Sequence, residues 1–428
     1  MMKIGTLSVW FSCAAVGAAA CASPPSTAGD EASGVSPLAA TAVAGRDLAI
    51  ALSLESASLP SALDRLGGGP PLLPPAWYNE VVRAYGETSV GSALESENLL
   101  ADWRVVSLRL APCAPLGLTP AHDVDRLCWP EVRLVWQPIL PGFSDDNIGS
   151  DTHADDRAIH ALYDAPPEAA LGAADAARAR ELLAAVGAYN AAWSGGPYAP
   201  LGASELGEFV ALRDQVTRAL LDAALALRSG AIPASAYAGV GLRPESGKPS
   251  EEKALRGRLL GLFATYARPE RLKALTSFSL PEGRQPALLD EWVFLSFRAS
   301  GGTLVQENVT FRAPDDGRVL FDFGPSESAS ASRDDAAIYD VLDDPTDGPA
   351  IAESVILFNT DRARLAPVLA DRGQRLVPNT SCASCHKLNP LRFDFHNFSY
   401  LEDRELTVSP RVVTDVALDL AWVASHAP

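Results

Sequence analysis

The 428-residue chain has two methionines, and both stand at its start, Met1 and Met2. Removal of an amino-terminal signal leaves none, which excludes a thioether as a metal ligand. Cations are also scarce: 35 Lys+Arg against 53 Asp+Glu give a formal charge of −18. Nucleic-acid binding needs clustered cations facing phosphates, and a polybasic membrane grip needs them facing anionic lipid, so the balance argues against both. No long apolar run follows residue 20, so no other membrane span is expected. No Gly-rich nucleotide loop, Ser/His/Asp elbow or metal-binding His pair occurs, and no catalytic residue is assigned. What is present is ordinary globular material, 47% hydrophobic and 21% charged. The length predicts two or more domains.

Residues 1–20 read as an export signal. Lys3 gives the positive start, Leu7 to Val16 a short apolar core, and Ala18, Ala19 and Ala20 a small-residue cleavage site. Cys21 follows at once and is the expected lipidation site of an exported lipoprotein, although Ala18 stands where such signals usually carry Leu. Plain cleaved secretion and a buried amino-terminal helix are the other readings. Residues 21–43, rich in Ser, Pro, Gly and Ala, read as a flexible tether. The expected location is the periplasm or the outer membrane, with membrane contact only through the amino-terminal lipid.

Export makes paired cysteines disulfide candidates. Cys113 closes the run from Trp103, and Cys128 opens the run to Trp136. Both runs partly alternate apolar and polar residues, as half-buried strands do. A Cys113–Cys128 bridge would pin the base of the loop between them, worth roughly 3 kcal/mol in the chain-entropy model. A redox role for this pair is the lesser alternative, since nothing nearby in sequence would activate a thiolate.

The organisation predicts an α+β fold: a large mixed domain, residues 44–345, with antiparallel strand pairs and a helical middle, then a small, mainly helical segment, 346–428. Strands are expected at Leu48–Leu54, in the two Cys-flanked runs, and at Trp292–Arg298, Leu304–Phe311 and Arg318–Phe323. Helices are expected at Ala76–Tyr85, Ala174–Trp193, Ser204–Ser229, Ser250–Ala267 and Arg411–His426, with Ala350–Leu369 a further candidate. Ser204 is the expected N-cap of its helix, with Gly207 where a capping box would place Glu. Residues 144–157 hold Asp145, Asp146, Asn147, Asp151, Asp155 and Asp156. A calcium loop would need glycine elsewhere than Gly149 and a closing Glu, so a solvated loop is the better reading.

One motif carries chemistry: Cys382-Ala-Ser-Cys385-His386. Cys-x-x-Cys-His is the attachment signature of c-type haem. Two thiols add across two porphyrin vinyl groups, the two-residue gap lets one turn reach both, and the adjacent imidazole meets the iron. A thioredoxin-like pair, a zinc site and an inert disulfide are weighed against it. The first wants a strand before the motif, where Leu376 to Thr380 looks like loop, and the second wants four ligands.

The segment resembles c-type cytochromes over its last 80 or so residues, through this motif alone. The resemblance implies one covalent haem c, with Cys382 and Cys385 as anchors and His386 as proximal ligand. With no Met left, His396 is the leading candidate for the other face of the iron, ahead of His426 or a more distant His; a His396 without metal contact is the alternative. Phe393, Phe395, Phe398 and Tyr400 surround it and Asp394 or Asn397 stand ready to orient it. The expected activity is single-electron transfer to a redox partner, possessing basic patches if docking is electrostatic. A five-coordinate haem sensor of a diatomic ligand, and an oxidoreductase that uses the large domain for substrate, are the rivals.

Overall fold

The computed structural model describes residues 43–86, 100–116, 125–140, 143–144, 147–148, 152–155, 157–192, 198–279, 293–300, 302–307, 309–312, 319–323, 398–400 and 406–426. Among the described residues the fold is α+β, an eight-stranded antiparallel sheet with six α-helices.

Seven strands follow one another across the sheet in chain order. They are β1 Ala49–Ala51, β2 Trp103–Pro115, β3 Cys128–Leu140, β4 Arg157–Asp164, β5 Leu272–Ser279, β6 Val293–Ser300 and β7 Thr303–Glu307. The eighth, a short strand at His153–Ala154, pairs with the end of β3. The register aligns Ile50, Leu108, Leu134, Ala161, Leu275 and Phe297 in one row across six strands. All six are fully buried. Side chains alternate across a strand, so the next row faces the other way. It reads Ala51, Ser107, Val135, His160, Thr276, Ser296.

The expected run Leu304–Phe311 is two strands. Thr303–Glu307 closes a tight hairpin on β6, with Gly302 at φ +85°, a conformation that suits glycine. Val309–Arg312 (β8) pairs instead with Val319–Phe323 (β9) in a separate two-stranded sheet. Strands β4 and β5 were not anticipated from sequence. They lie in the middle of the sheet; in β4, burial on both faces erases the alternation that marks a half-exposed strand, while β5 has Lys273, Ala274 and Thr276 half-buried.

The helical middle lies between β4 and β5. Helices α1 Gly45–Leu48 and α2 Pro75–Gly86 precede it, and α3 Ala173–Ala192, α4 Ala203–Leu225 and α5 Pro249–Tyr266 form it. Helix α4 buries Phe209, Leu212, Val216, Leu220 and Ala224 and leaves Glu205, Glu208, Gln215 and Asp222 in solvent. Its N-cap is Gly202 rather than Ser204: the Gly202 N–H donates to Glu205 Oε2 at 3.1 Å. Helix α5 begins at Pro249, whose fixed φ and missing N–H suit a first helical position.

Helix α1 is fastened by a buried ionic cluster. Arg228 Nε donates to Asp47 Oδ1 at 2.9 Å, and Arg243 donates to both Glu245 oxygens at 3.0 Å. Both guanidinium groups lie over the Tyr237 ring, at 4.9 and 4.6 Å. A Cβ at Gly45 would fall 2.1 Å from the Gly239 carbonyl oxygen, so only glycine allows this approach.

Candidate functional site

Cys382, Cys385, His386 and His396 lie outside the described residues, as do Cys21, His122 and the candidate helix Ala350–Leu369. What the structure positions is the chain that resumes after the motif. Phe398–Tyr400 (β10) pairs with Leu406–Val408 (β11), and helix α6, Pro410–His426, follows.

Tyr400 is fixed by a side chain that mimics a strand. The Gln137 amide accepts from the Tyr400 N–H at 2.8 Å and donates to its carbonyl at 2.9 Å. The same Nε2 donates to the Asp155 carbonyl at 3.1 Å, and the Tyr400 hydroxyl donates to the Leu52 carbonyl at 2.7 Å. Gln137 is fully buried on β3, so its polar atoms need these partners. The signal in sequence is one amide inside the apolar run from Val132 to Ile139, and it was passed over.

Helix α6 packs Val412 and Val416 on Ala49 and Ala51. Beside them Arg109, which pairs directly with Ala49 across β1 and β2, bonds to Asp415 at 3.2 Å and to Asp419. Burial works against the Arg109 charge, but the two carboxylates outweigh it, and its pKa lies above the ordinary guanidinium value. The final turn lays Trp422 and Val423 over Cys113 and Cys128.

Those two cysteines are bonded in the structure, with Cα atoms 5.0 Å apart, where β2 bulges opposite the start of β3. Arg213 of α4 is buried beside them. Its Nη1 lies 3.3 Å from Cys128 Sγ and donates to the Asp125 carbonyl at 2.7 Å, while its guanidinium sits 5.1 Å from the Trp422 ring centre.

Three histidines are described. His160 is buried in β4 between Val135 and Thr276. Burial, with the Arg133 charge second, holds its pKa well below the usual imidazole value. His153 is half-buried opposite Leu140. His426 is exposed at the end of α6, stacked 4.4 Å from Trp422, with Nδ1 3.0 Å from the Trp422 carbonyl oxygen.

No protein-family model matches this sequence, no curated protein is significantly similar to it, and no solved structure matches it significantly. Functional inference rests on the chain's own residues.

In the acidic stretch, Asp155 is engaged by Arg157, Nε to Oδ2 at 2.9 Å. Asp145, Asp146, Asp151 and Asp156 lie outside the described residues. Among the described residues no group of three or more His, Cys, Asp or Glu is placed to hold a metal ion, and no helix is long and apolar enough to cross a membrane.

Proposed function

We propose that the protein is an exported single-electron carrier with one covalent haem c near its carboxy terminus. The observation that carries the reading is Cys382-Ala-Ser-Cys385-His386, two thiols and an imidazole at the spacing of haem attachment. This donor set fits the group: two sulfurs for the vinyl carbons and one nitrogen for the iron. The bound group would supply an iron that alternates between ferrous and ferric states.

The chain's own residues have separate tasks. Cys382 and Cys385 hold the porphyrin, and His386 ligates one face. His396 is assigned to the other face, ten positions along, a stretch that spans roughly 33 Å when extended. Cys21 would carry the lipid, placing the protein in the periplasm or on the outer membrane. The net charge of −18 favours a redox partner with basic patches.

The test is mass spectrometry of the full chain made in cells competent for haem attachment. The peptide bearing Cys382 and Cys385 should carry the mass of one haem; a bare peptide ends the proposal. In the loaded protein, His396→Ala should keep the haem and change the spin state in the visible spectrum. Carbon monoxide binding to the reduced wild type would point instead to an open iron.

A further inference from the structure

The disulfide between Cys113 and Cys128 has a cation for a neighbour. Both cysteines are fully buried, and Arg213 on α4 is buried with them, 1% exposed. Asp214 takes one edge of its guanidinium, accepting from Nε at 3.0 Å and from Nη2 at 2.7 Å. Nη1 is left to the carbonyls of Asp125 and Arg126, at 2.7 and 3.2 Å, and to Cys128 Sγ at 3.3 Å. A disulfide sulfur is a weak acceptor and does little to offset the burial of a cation. A thiolate in the same place would be a strong one. The 85 positions between Arg213 and Cys128 hide this contact from the sequence.

We infer that Cys113–Cys128 is a thiol–disulfide exchange site for a dithiol reductant, with Cys128 as the leaving sulfur and Arg213 as the group that receives it. The inference uses no residue of the haem reading. One thiolate of the dithiol attacks Cys113 Sγ. A new S–S bond forms to Cys113, the bond to Cys128 breaks, and its electron pair leaves on Cys128 Sγ beside Arg213 Nη1. The second thiolate of the dithiol then attacks its own sulfur in the mixed disulfide and releases Cys113. Two electrons pass, the reductant ends as a disulfide, and the protons from its two thiols go to the two cysteines or to water. Thr217, one turn further along α4, donates to the Pro112 carbonyl at 2.9 Å, and Pro115 pairs with Cys128 across β2 and β3. These contacts keep the reduced thiols close enough to re-form the bond.

Access is gated by the last turn of α6. Trp422 and Val423 lie over both cysteines, within four residues of the helix end at His426. Terminal helical turns open at lower free energy than the core, because their last carbonyls have no intrahelical partner. Arg213 sits 5.1 Å from the Trp422 ring centre, so lifting Trp422 uncovers the disulfide and its cation together. The other charges nearby are already engaged or point to water. On α6, His426 stacks on Trp422, and Asp419, one turn earlier, is held by Arg109. On β3, Glu131 is met by Arg133 and Lys273, and the side chains of Asp125 and Arg126 are exposed.

The experiment uses the full-length protein and dithiothreitol, with the state of Cys113 and Cys128 read from the mass of the alkylated peptides. Wild type should be reduced at this bond while its circular dichroism stays native, and Trp422→Ala should be reduced several-fold faster. Reduction only at the rate of global unfolding would overturn the inference, as would a Trp422→Ala variant no faster than wild type. Arg213 is then tested through pH, since it acts on the thiolate and not on the thiol. Arg213→Met should lower the equilibrium constant for reduction about tenfold near pH 8.5, and leave it unchanged near about pH 5.5, where both thiols are protonated. Arg213→Lys, which keeps the charge, should restore part of the difference. An equal change at both pH values would mean that Arg213 only holds the carbonyls of Asp125 and Arg126, and would remove it from the exchange. Should Arg213→Met fail to fold, the wild-type and Trp422→Ala reductions still decide whether the site exchanges.

Discussion

The two faces of the central sheet are built on opposite principles. On one, Ile50, Leu108, Leu134, Ala161, Leu275 and Phe297 form an unbroken apolar row. On the other, the adjoining row carries Ser107, His160, Thr276 and Ser296, and Arg109 stands beside it. The apolar face is held by burial, which has no direction. The polar face must be answered group by group, because a buried charge without a partner is costly. This explains α6. A helix laid over Arg109 must bring carboxylates to its underside, and its spare apolar residues then point outward. The buried side of α6 therefore combines its apolar stripe, Val412, Val416, Trp422 and Val423, with the two carboxylates that answer Arg109.

The strongest way to break the comparison is Asp419→Ala. It removes one of the two carboxylates that hold the buried Arg109. The expected loss is about 3 to 5 kcal/mol of folding stability, read from denaturant unfolding. Exchanging all three groups together, as Arg109→Met, Asp415→Leu and Asp419→Leu, should cost much less, since no orphaned charge is left. A triple variant as unstable as Asp419→Ala would show that the face is not held by charge matching.

The same logic gives the polar face a pH dependence that the apolar row lacks. His160 in the folded protein titrates well below the usual imidazole value near 6.5, because burial and then Arg133 disfavour its cation. At pH above 6.5 both folded and unfolded chains hold it neutral, and it contributes no slope. Below 6.5 the unfolded chain takes up a proton that the folded chain refuses. Stability therefore falls as pH drops, by up to about 1.4 kcal/mol per unit from this one group. His160→Leu should flatten the curve of unfolding free energy against pH between roughly 6.5 and 5 by about one proton. Parallel curves for wild type and variant would mean that His160 is solvated in the native state.

The contrast also accounts for what the sequence made legible. Strands β2 and β3, and helices α2 to α5, were readable because each shows its own periodicity within a few residues of its ends. The row through β4 and β5 was not: β4 is buried on both faces, and the identity of both strands depends on partners far along the chain. Helix α6 was readable as a helix, yet its orientation was not. Val412, Val413, Val416 and Leu418 look alike in sequence, and only Arg109, some three hundred positions earlier, sorts them into inside and outside. Gln137 shows in the sequence as a lone amide in an apolar run, but its role was illegible for the same reason, since the strand it completes is contributed by Tyr400. The Cys382-x-x-Cys385-His386 spacing, on which the proposed haem rests, is the converse case. It is local chemistry, legible without any fold.

The smallest effect is expected on the outer face of α6, where the comparison is sharpest. Leu418 is 37% exposed, so Leu418→Gln removes little buried area. Its effect on stability should stay within about 0.5 kcal/mol, read from denaturant unfolding. A loss as large as that of Asp419→Ala would show that the outer side of α6 is packed rather than solvated, and the contrast between the two sides of the helix would fail.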